Sequence, residues 1–412
     1  FELFQKSCRY WEGRWLLLKC QSNEYTIDNN SMLMPCVIST LHKTPIFDKK
    51  DNDTFDLLII DEAGQASPLL GFSAMNMCKK AIVVGDIFQL EPVVQLNKFI
   101  DAGRCEDNGL EYFKYKNNEL CSNNNRTIAD DTDITHKPIN SIMRIAQEKT
   151  KFTVNKPEDI EQGMFLKEHR RCYDQIIQIC NELIYNGRLI PCKGEGKNSN
   201  GLLVLDFYDI KNGEAIKEFD SKVNRQEIQS ILNYLFDHIK NIVDEETLTG
   251  IIEQTLTKDD YKDIENKLKQ KISIITPFKG QSILLKIELK NRWKDYIKDT
   301  NPEIENVVDI FKKINIGTVH TMQGAESDIV IFSSVYDGKN DTSFMLNNKP
   351  NLLNVAVSRA KKHFIIFGSK NIFFPDKKNE SNKYSNIVGE NIMKYKNTNE
   401  LKTLITTSFD DV

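Results

Sequence analysis

The sequence predicts a doubly wound α/β protein in which helices cover parallel sheets. Its apolar segments are short, rich in valine and isoleucine, and end on polar residues: CVIST from Cys36, FDLLIID from Phe55, AIVVGD from Ala81, LLVLDF from Leu202, ISIITPF from Ile272, DIVIFSS from Asp328 and HFIIFGS from His363. Their hydrophobicity is continuous rather than alternating, which is typical of strands buried on both faces. Helical patterns lie between them, and this alternation is typical of the α/β class.

Two helices are predicted from apolar stripes at helical spacing in the second half of the chain. One covers residues 171–185, and Gly187 follows it as a C-cap. The other begins after Asn224, because Asn224 and Glu227 are placed like a capping box.

The strands form two sets, separated by a polar, Asn-rich stretch between about Gly103 and Gln162. We predict a first domain over residues 1–140, a second domain over residues 141–375 and a polar tail over residues 376–412. A hydrophilic insert from Asp244, DEETLTGIIEQTLTKDDYKDIENKLKQK, predicts surface helix. The chain begins at Phe1 rather than at a methionine, and we expect it to be a piece of a longer protein.

Composition limits the classes of protein to which the chain can belong. With 412 residues, of which 40% are hydrophobic and 28% charged, it is typical of a soluble globular protein of more than one domain. No apolar run approaches the roughly 20 residues needed to span a bilayer, so we expect a cytoplasmic protein with no membrane partner. The 9 cysteines form no CxxC pair, which predicts neither a zinc ribbon nor a redox dithiol. A net charge of -4 neither supports nor excludes a nucleic-acid partner.

Two adjacent carboxylates end one of the predicted strands, in the segment LLIIDEAGQASPLL. In open α/β sheets ligands bind beyond the carboxyl ends of the strands, where Asp61 and Glu62 would lie. One carboxylate there can hold Mg²⁺ bound to nucleotide phosphates, while its neighbour orients or deprotonates the attacking water. An acidic pair that caps a nearby helix is the alternative, and the pair alone does not decide between them.

The next predicted strand favours the nucleotide hypothesis. The segment AIVVGDIFQLEP ends its apolar run on Gly85 and Asp86, and Gln89 follows, whose neutral amide can respond to a terminal phosphate or its bound water. With DE on one strand and GDxxQL on the next, the sequence resembles the superfamily 1 helicases, whose motifs II and III have this form. The segment CVISTLHK, which begins at Cys36, resembles their motif Ib.

The resemblance continues in family order. The segment LKEHRRCYDQI is similar to motif IV of the branch that includes the nonsense-mediated-decay helicase, with Arg170 in the place of the arginine that reaches the γ-phosphate. Arg170 could instead form a salt bridge with Glu168 or Asp174, and the preceding His169 could stack on adenine. The segment ISIITPFKGQ resembles the TPYxxQ-type segment of the same branch.

Two further motifs follow. The segment GTVHTMQGAESDIVIFSSV resembles motif V, in which Gln323, Gly324 and Glu326 would lie at the nucleotide cleft. The segment NLLNVAVSRAKKHFIIFG resembles motif VI, with Arg359 in the place of the arginine finger.

The resemblance implies two RecA-like domains with parallel sheets flanked by helices, the first of them incomplete. It also implies an ATP-dependent helicase or translocase that binds ATP and Mg²⁺ at a cleft between the domains. Asp61 would hold the metal, Glu62 would act as the base with Gln89 nearby, and Arg170 and Arg359 would stabilise charge on the transferring phosphate. Closing and reopening of the cleft would move the protein along nucleic acid.

Single-stranded DNA or RNA is the partner that the resemblance implies, held mainly through its phosphates. Positions at which the family uses small hydroxyls are matched by Ser39, Thr40, Thr276, Thr318 and Thr321. Each threonine alone is equally well explained as an ordinary strand-end residue.

One family motif is absent from the chain. The loop GxxxxGK[ST], whose backbone amides and lysine cradle the phosphates, occurs nowhere in it. Either the chain is the C-terminal part of a helicase whose missing N-terminal part supplies the loop, or the protein is a non-catalytic nucleic-acid-binding or assembly factor on a degenerate core. Because Asp61, Glu62, Gln89, Arg170 and Arg359 are all present, we favour the first explanation and expect the chain alone to hydrolyse little ATP.

Overall fold

A computed structural model describes residues 5–11, 36–47, 55–93, 141–150, 153–154, 163–198, 201–218, 220–337, 346, 350–374 and 384–409. The chain divides into two compact units. The first unit comprises Phe1–Ile87 and Glu91–Lys151, and the second comprises Phe88–Leu90 and Phe152–Val412. The short segment Phe88–Leu90 therefore belongs to the unit that the second half of the chain forms.

The first unit contains a pair of parallel strands, β1 (Leu58–Ile60) and β2 (Ala81–Val83). Helix α1 (Pro68–Met75) lies between them in the chain, and its first residue is a proline, which suits a helix start because the missing N–H would be unpaired there. Ser141 caps helix α2 (Ile142–Lys149), because its hydroxyl accepts the backbone N–H of Arg144 in the first turn. Residues 5–11 are also helical.

The predicted strand at Cys36 is wrong. Residues 36–40 are exposed and have no regular structure, and a 3-10 helix, Leu41–Phe47, follows them. Ile38 is 95% exposed. A strand needs a neighbour that completes its hydrogen bonds, and within the described ranges no strand pairs with this segment.

After residue 152, the second unit starts with two small parallel ladders. In one, β3 (Thr153–Val154) pairs with β4 (Gly163–Met164), and in the other, β5 (Glu168–His169) pairs with β6 (Ile190–Pro191). Between β5 and β6 lies helix α3 (Asp174–Cys180), which a π-helix, Asn181–Tyr185, continues. The helix predicted over residues 171–185 is confirmed in its position, but left-handed Asn186 caps it one residue before the predicted Gly187.

The remaining elements follow in chain order: β7 (Leu205–Asp209), β8 (Ile216–Glu218), β9 (Ser221–Val223), α4 (Arg225–Asp237), α5 (Ile239–Ile242), α6 (Glu245–Ile252), α7 (Lys258–Lys271), β10 (Ile272–Thr276), α8 (Lys279–Thr300), β11 (Asn315–Thr318), β12 (Ser327–Ser333), α9 (Pro350–Ser358), β13 (Ala360–Gly368), α10 (Lys370–Phe373) and α11 (Tyr384–Phe409). Strands β8 and β9 form an antiparallel hairpin. The insert that was predicted as surface helix forms α6 and α7, which bury one stripe each.

A five-stranded, entirely parallel sheet with the order β11-β10-β12-β13-β7 forms the centre of the second unit. Successive residues of its strands point to opposite faces. Ile274 and Ile331 pack with α4 and α8, whereas Ile275 and Phe332 pack with α3 and α9. Both faces are therefore covered, and the prediction of a doubly wound α/β fold is confirmed.

Helix α11 lies within the residues predicted as a polar tail and packs Val388 and Ile392 into the second of these clusters. No helix in the described part of the chain is both long and apolar enough to cross a membrane.

Candidate nucleotide site

The two carboxylates of the first unit lie at the carboxyl end of β1, as predicted. Both side chains are exposed. The backbone turns sharply there, because Glu62 has a left-handed φ of 52° and its N–H donates to Asp61 Oδ1 at 2.9 Å. Gln65 Nε2 donates to Glu62 Oε2 at 3.4 Å. The carboxylates thus face solvent from a tight turn rather than capping a helix with their side chains.

The end of β2 packs directly against this turn. The N–H of Ala63 donates to the carbonyl of Val84 at 2.9 Å. A Cβ on Gly85 would lie 2.8 Å from the backbone nitrogens of Ala63 and Gly64, so only glycine allows this approach. The DE and GD segments therefore share one edge of the β1–β2 pair.

An exposed carboxylate at this edge suits Mg²⁺ bound to a nucleotide. Mg²⁺ takes oxygen ligands and keeps several waters, so that one or two protein carboxylates and the substrate phosphates complete its shell. Asp61 supplies such an oxygen. No group of three or more His, Cys, Asp or Glu side chains that could hold a metal ion occurs among the described residues.

Gln89 lies in the second unit, with the motif V residues. Its side-chain Oε1 accepts a hydrogen bond from Gln323 Nε2 at 3.4 Å. The next residue, Gly324, has a φ of 79°, and a left-handed turn of this kind favours glycine. The structure therefore brings together two of the predicted site residues, Gln89 and Gln323, which are far apart in the sequence.

Glu326, the acidic residue of motif V, forms two ion pairs. It accepts from Arg171 Nε at 2.7 Å and from Lys361 Nζ at 2.6 Å. The hydrogen bond from Lys361 is the main cause of a lowered pKa of Glu326. Neither Arg171 nor Lys361 was among the predicted site residues, although each belongs to a pair of adjacent cations, Arg-Arg in motif IV and Lys-Lys in motif VI.

The two predicted catalytic arginines have opposite environments. Arg170 is exposed and pairs with Glu168 at 2.6 Å, which is the alternative that the sequence analysis left open. Arg359 is 3% exposed, and its guanidinium donates to the carbonyls of Val355 at 3.2 Å and Ala325 at 3.4 Å. Arg170 is accessible to a ligand in this conformation, whereas Arg359 points into the protein.

His169 is held inside the second unit. Its Nε2 accepts the backbone N–H of Cys172 at 3.1 Å, and burial lowers the pKa of the imidazole to about 4. The ring is therefore neutral near pH 7, and its acceptor nitrogen fixes the turn between β5 and α3.

The hydroxyls predicted to contact nucleic acid also differ in accessibility. Ser39 and Thr40 in the first unit are exposed. In the second unit, Thr276 is 0% exposed and its Oγ1 accepts the N–H of Phe278 at 3.4 Å. Thr318 lies beside Thr276 in the sheet, and Thr321 donates to the carbonyl of Thr318 at 2.9 Å.

A buried polar network at the end of β12 was not anticipated. Glu227 was predicted to complete a capping box, but only half of the box forms, in which Asn224 accepts the N–H of Glu227 at 3.1 Å. The Glu227 carboxylate instead accepts hydrogen bonds from the hydroxyl of Ser333 and, at 3.1 Å, from the N–H of Val335. Gln281 of the TPFKGQ segment donates to Ser333 at 3.0 Å.

The network has two unusual features. Burial raises the pKa of Glu227 to about 8. Val335 has a φ of 72°, which is rare for a β-branched residue and indicates strain that the surrounding bonds must hold. No sequence pattern predicted either feature, because both depend on contacts between residues more than 100 positions apart.

A family model described as AAA domain matches residues 147–371, and a second model with the same description matches residues 21–97. The DNA replication ATP-dependent helicase/nuclease dna2 of Schizosaccharomyces pombe is 26% identical over 337 residues, which cover 79% of this chain and 19% of the relative. Helicase sen1 of the same organism is 25% identical, covering 76% of this chain and 14% of the relative. The ATP-dependent helicase upf1 of Schizosaccharomyces pombe is 29% identical over 107 residues, which cover 26% of this chain and 10% of the relative. The chain thus spans less than a fifth of the length of these curated relatives.

Proposed function

We propose, since the chain belongs to the AAA domain family and to the Upf1-like branch of the superfamily 1 helicases, that it hydrolyses ATP to move along single-stranded DNA or RNA. The observation that carries this proposal is the hydrogen bond between Gln89 and Gln323, which joins motif III to motif V. Both amides belong to segments that resemble helicase motifs, and the resemblance places each of them at the nucleotide, although 234 residues separate them in the sequence.

The carboxylates of the first unit would act on the phosphates and water. Asp61 would hold Mg²⁺, which, when bound with ATP, neutralises charge on the phosphates. Glu62, exposed and one residue further along, would orient the attacking water and accept its proton.

The second unit would supply positive charge. Arg170 is exposed and can exchange its bond with Glu168 for a bond to phosphate at little cost, because exposed ion pairs contribute little. Arg359 would have to leave the carbonyls of Val355 and Ala325 before it could reach a nucleotide. We propose that ATP binding drives this change, so that hydrolysis requires it.

Single-stranded nucleic acid would contact the accessible hydroxyls: Ser39, Thr40 and Thr321 are exposed, and Thr318 is half-buried. Thr276 would act indirectly, since its hydroxyl is buried. We propose a cytoplasmic location for the protein.

Hydrolysis of ATP by the natural protein, with and without single-stranded DNA or RNA, tests the proposal. We expect stimulation by nucleic acid and a loss of about 100- to 10,000-fold in kcat for Glu62→Gln, because general-base catalysis contributes that much. Asp56→Asn removes an exposed carboxylate of the same unit at the amino end of β1, away from the site at the carboxyl end, and should leave kcat unchanged. If nucleic acid binds but no ATP is hydrolysed, the proposal is wrong.

A further inference from the structure

Three residues, Phe88, Gln89 and Leu90, belong to the second unit although the chain on both sides of them belongs to the first. Leu90 is 5% exposed and lies in the hydrophobic cluster that includes α3 and α9. The Phe88 ring meets the Tyr185 ring edge to face, with centroids 5.3 Å apart. The apolar residues that flank Gln89 thus anchor the segment on both sides.

Two asparagines of α9 hold the backbone of this segment. Asn351 Nδ2 donates to the carbonyl oxygen of Gln89 at 2.6 Å, and Asn354 Nδ2 donates to that of Phe88 at 2.9 Å. Residues three apart on a helix lie on one face, so these two amides can meet two successive carbonyls. Asn354 is 1% exposed, and its amide also donates to Tyr185 Oη at 3.1 Å.

The place of the Gln89 side chain follows from this anchoring. With the carbonyls of Phe88 and Gln89 both held, the backbone from which the side chain extends has little freedom. The side chain then meets Gln323 at 3.4 Å. A misplacement of about 1 Å near reacting groups can cost on the order of 100-fold in rate, so anchoring of this backbone bears directly on turnover.

We infer that Asn351 and Asn354 are positioning residues that hold Gln89 on the second unit beside Gln323. The inference rests on the proposed function, in which Gln89 responds to the terminal phosphate or its water. The donor is the essential part of each asparagine. An aspartate has the same shape, but its carboxylate cannot donate to a carbonyl oxygen.

Hydrogen exchange of the 412-residue chain tests the positioning without any catalysis. The variant is Asn351→Asp. The matched control is Asn301→Asp, because Asn301 makes the same kind of bond, to the carbonyl of Ile252 at 3.0 Å, elsewhere in the second unit. Loss of one hydrogen bond shifts an opening equilibrium by about twofold to tenfold, and we expect the amides around Gln89 to exchange faster by that factor in Asn351→Asp only.

Kinetics of the natural protein test whether Asn351 acts through Gln89. With single-stranded nucleic acid present, we expect Asn351→Asp to lower kcat by about tenfold while the KM for ATP stays within about twofold. The double variant with Gln89→Ala should hydrolyse ATP no more slowly than Gln89→Ala alone, because residues that act as one unit are not additive.

The inference is wrong if the amides around Gln89 exchange at the wild-type rate in Asn351→Asp. It is also wrong if the decreases in kcat caused by the two single substitutions multiply in the double variant. If the natural protein hydrolyses no ATP, the proposed function fails, and the exchange experiment still decides whether Asn351 holds the segment. Asn354→Ala is the second variant. Its exchange is compared with that of the wild type under conditions in which the same fraction of each protein is folded. The amides around Gln89 should exchange faster in Asn354→Ala than in the wild type. Unchanged exchange there would count against the role of Asn354.

Discussion

The strands of the two units come from the same kind of sequence, but they are covered to different extents. Ile59 of β1 and Ile82 of β2 are 62% and 49% exposed, whereas every residue of β10 is buried. Both sheets are parallel. A continuous apolar run therefore predicts a parallel strand, while the covering of that strand depends on which distant elements pack against it.

The same contrast holds for two glutamates near strand ends. Glu62 follows β1 and is exposed, whereas Glu227 meets the end of β12 and is 0% exposed. An exposed carboxylate can act on a ligand, but a buried one is used by the protein's own backbone and hydroxyls. Accessibility, more than residue type, separates a candidate catalytic acid from a structural one.

The largest difference between the two sheets is expected when one isoleucine is truncated in each. Ile331→Ala should lower the free energy of unfolding by about 2–5 kcal/mol, because it leaves a cavity in a fully buried strand. Ile59→Ala removes a mostly exposed side chain and should cost less than about 1 kcal/mol. Urea denaturation followed by circular dichroism measures both. Equal costs would mean that burial does not distinguish the two sheets in solution.

A smaller effect is expected from the buried carboxyl of Glu227. Its pKa is raised from 4.5 to about 8, so the folded protein keeps a proton that the unfolded chain releases. The protonated Glu227 carboxyl contributes its full stabilisation of the folded state below about pH 4.5. This contribution to the free energy of unfolding is lost as the pH rises through about 8. Relative to Glu227→Gln, the wild type should therefore lose about 2 kcal/mol of unfolding free energy between about pH 6 and 8. Urea denaturation of both proteins at each pH measures this difference. If the free energies of unfolding of the two proteins changed equally with pH, the result would contradict the burial of this carboxyl.

The smallest effect is expected at the exposed pair between Arg170 and Glu168, whose side chains are 72% and 59% exposed. Glu168→Gln should leave the free energy of unfolding almost unchanged, because solvent weakens such pairs. Added salt at about 1 M should remove most of the difference, since it screens exposed charges. Thermal unfolding at low and high salt measures this. A change of several kcal/mol would show that the pair is not freely accessible.

Local patterns predicted the parts of the structure that depend on local physics. The strands at Ile272, Asp328 and His363 were predicted from their apolar runs, and Asp61 and Glu62 lie at a strand end as expected. The strand at Cys36 was wrong, because no described strand completes the hydrogen bonds of residues 36–40, and a local apolar run does not show whether such a neighbour is present.

The parts that were missed depend on contacts between distant residues. The bonds from Asn351 and Asn354 to the Gln89 segment span more than 250 positions. The inward direction of Arg359 depends on the carbonyl of Ala325, which no pattern around Arg359 reveals. Which of the predicted site residues are accessible therefore depends on tertiary contacts that local patterns do not contain.

The π-helix at Asn181–Tyr185, which continues α3, determines the direction in which the side chains at the end of that helix point. A π-turn accommodates one extra residue, and each residue of an α-helix turns the chain by about 100°. Removing a single residue there would restore α-helical phase and rotate Tyr185 away from Asn354 and Phe88, which it meets in the native structure. The length of this segment, counted in single residues, is therefore under tighter constraint than the identity of most side chains on its surface.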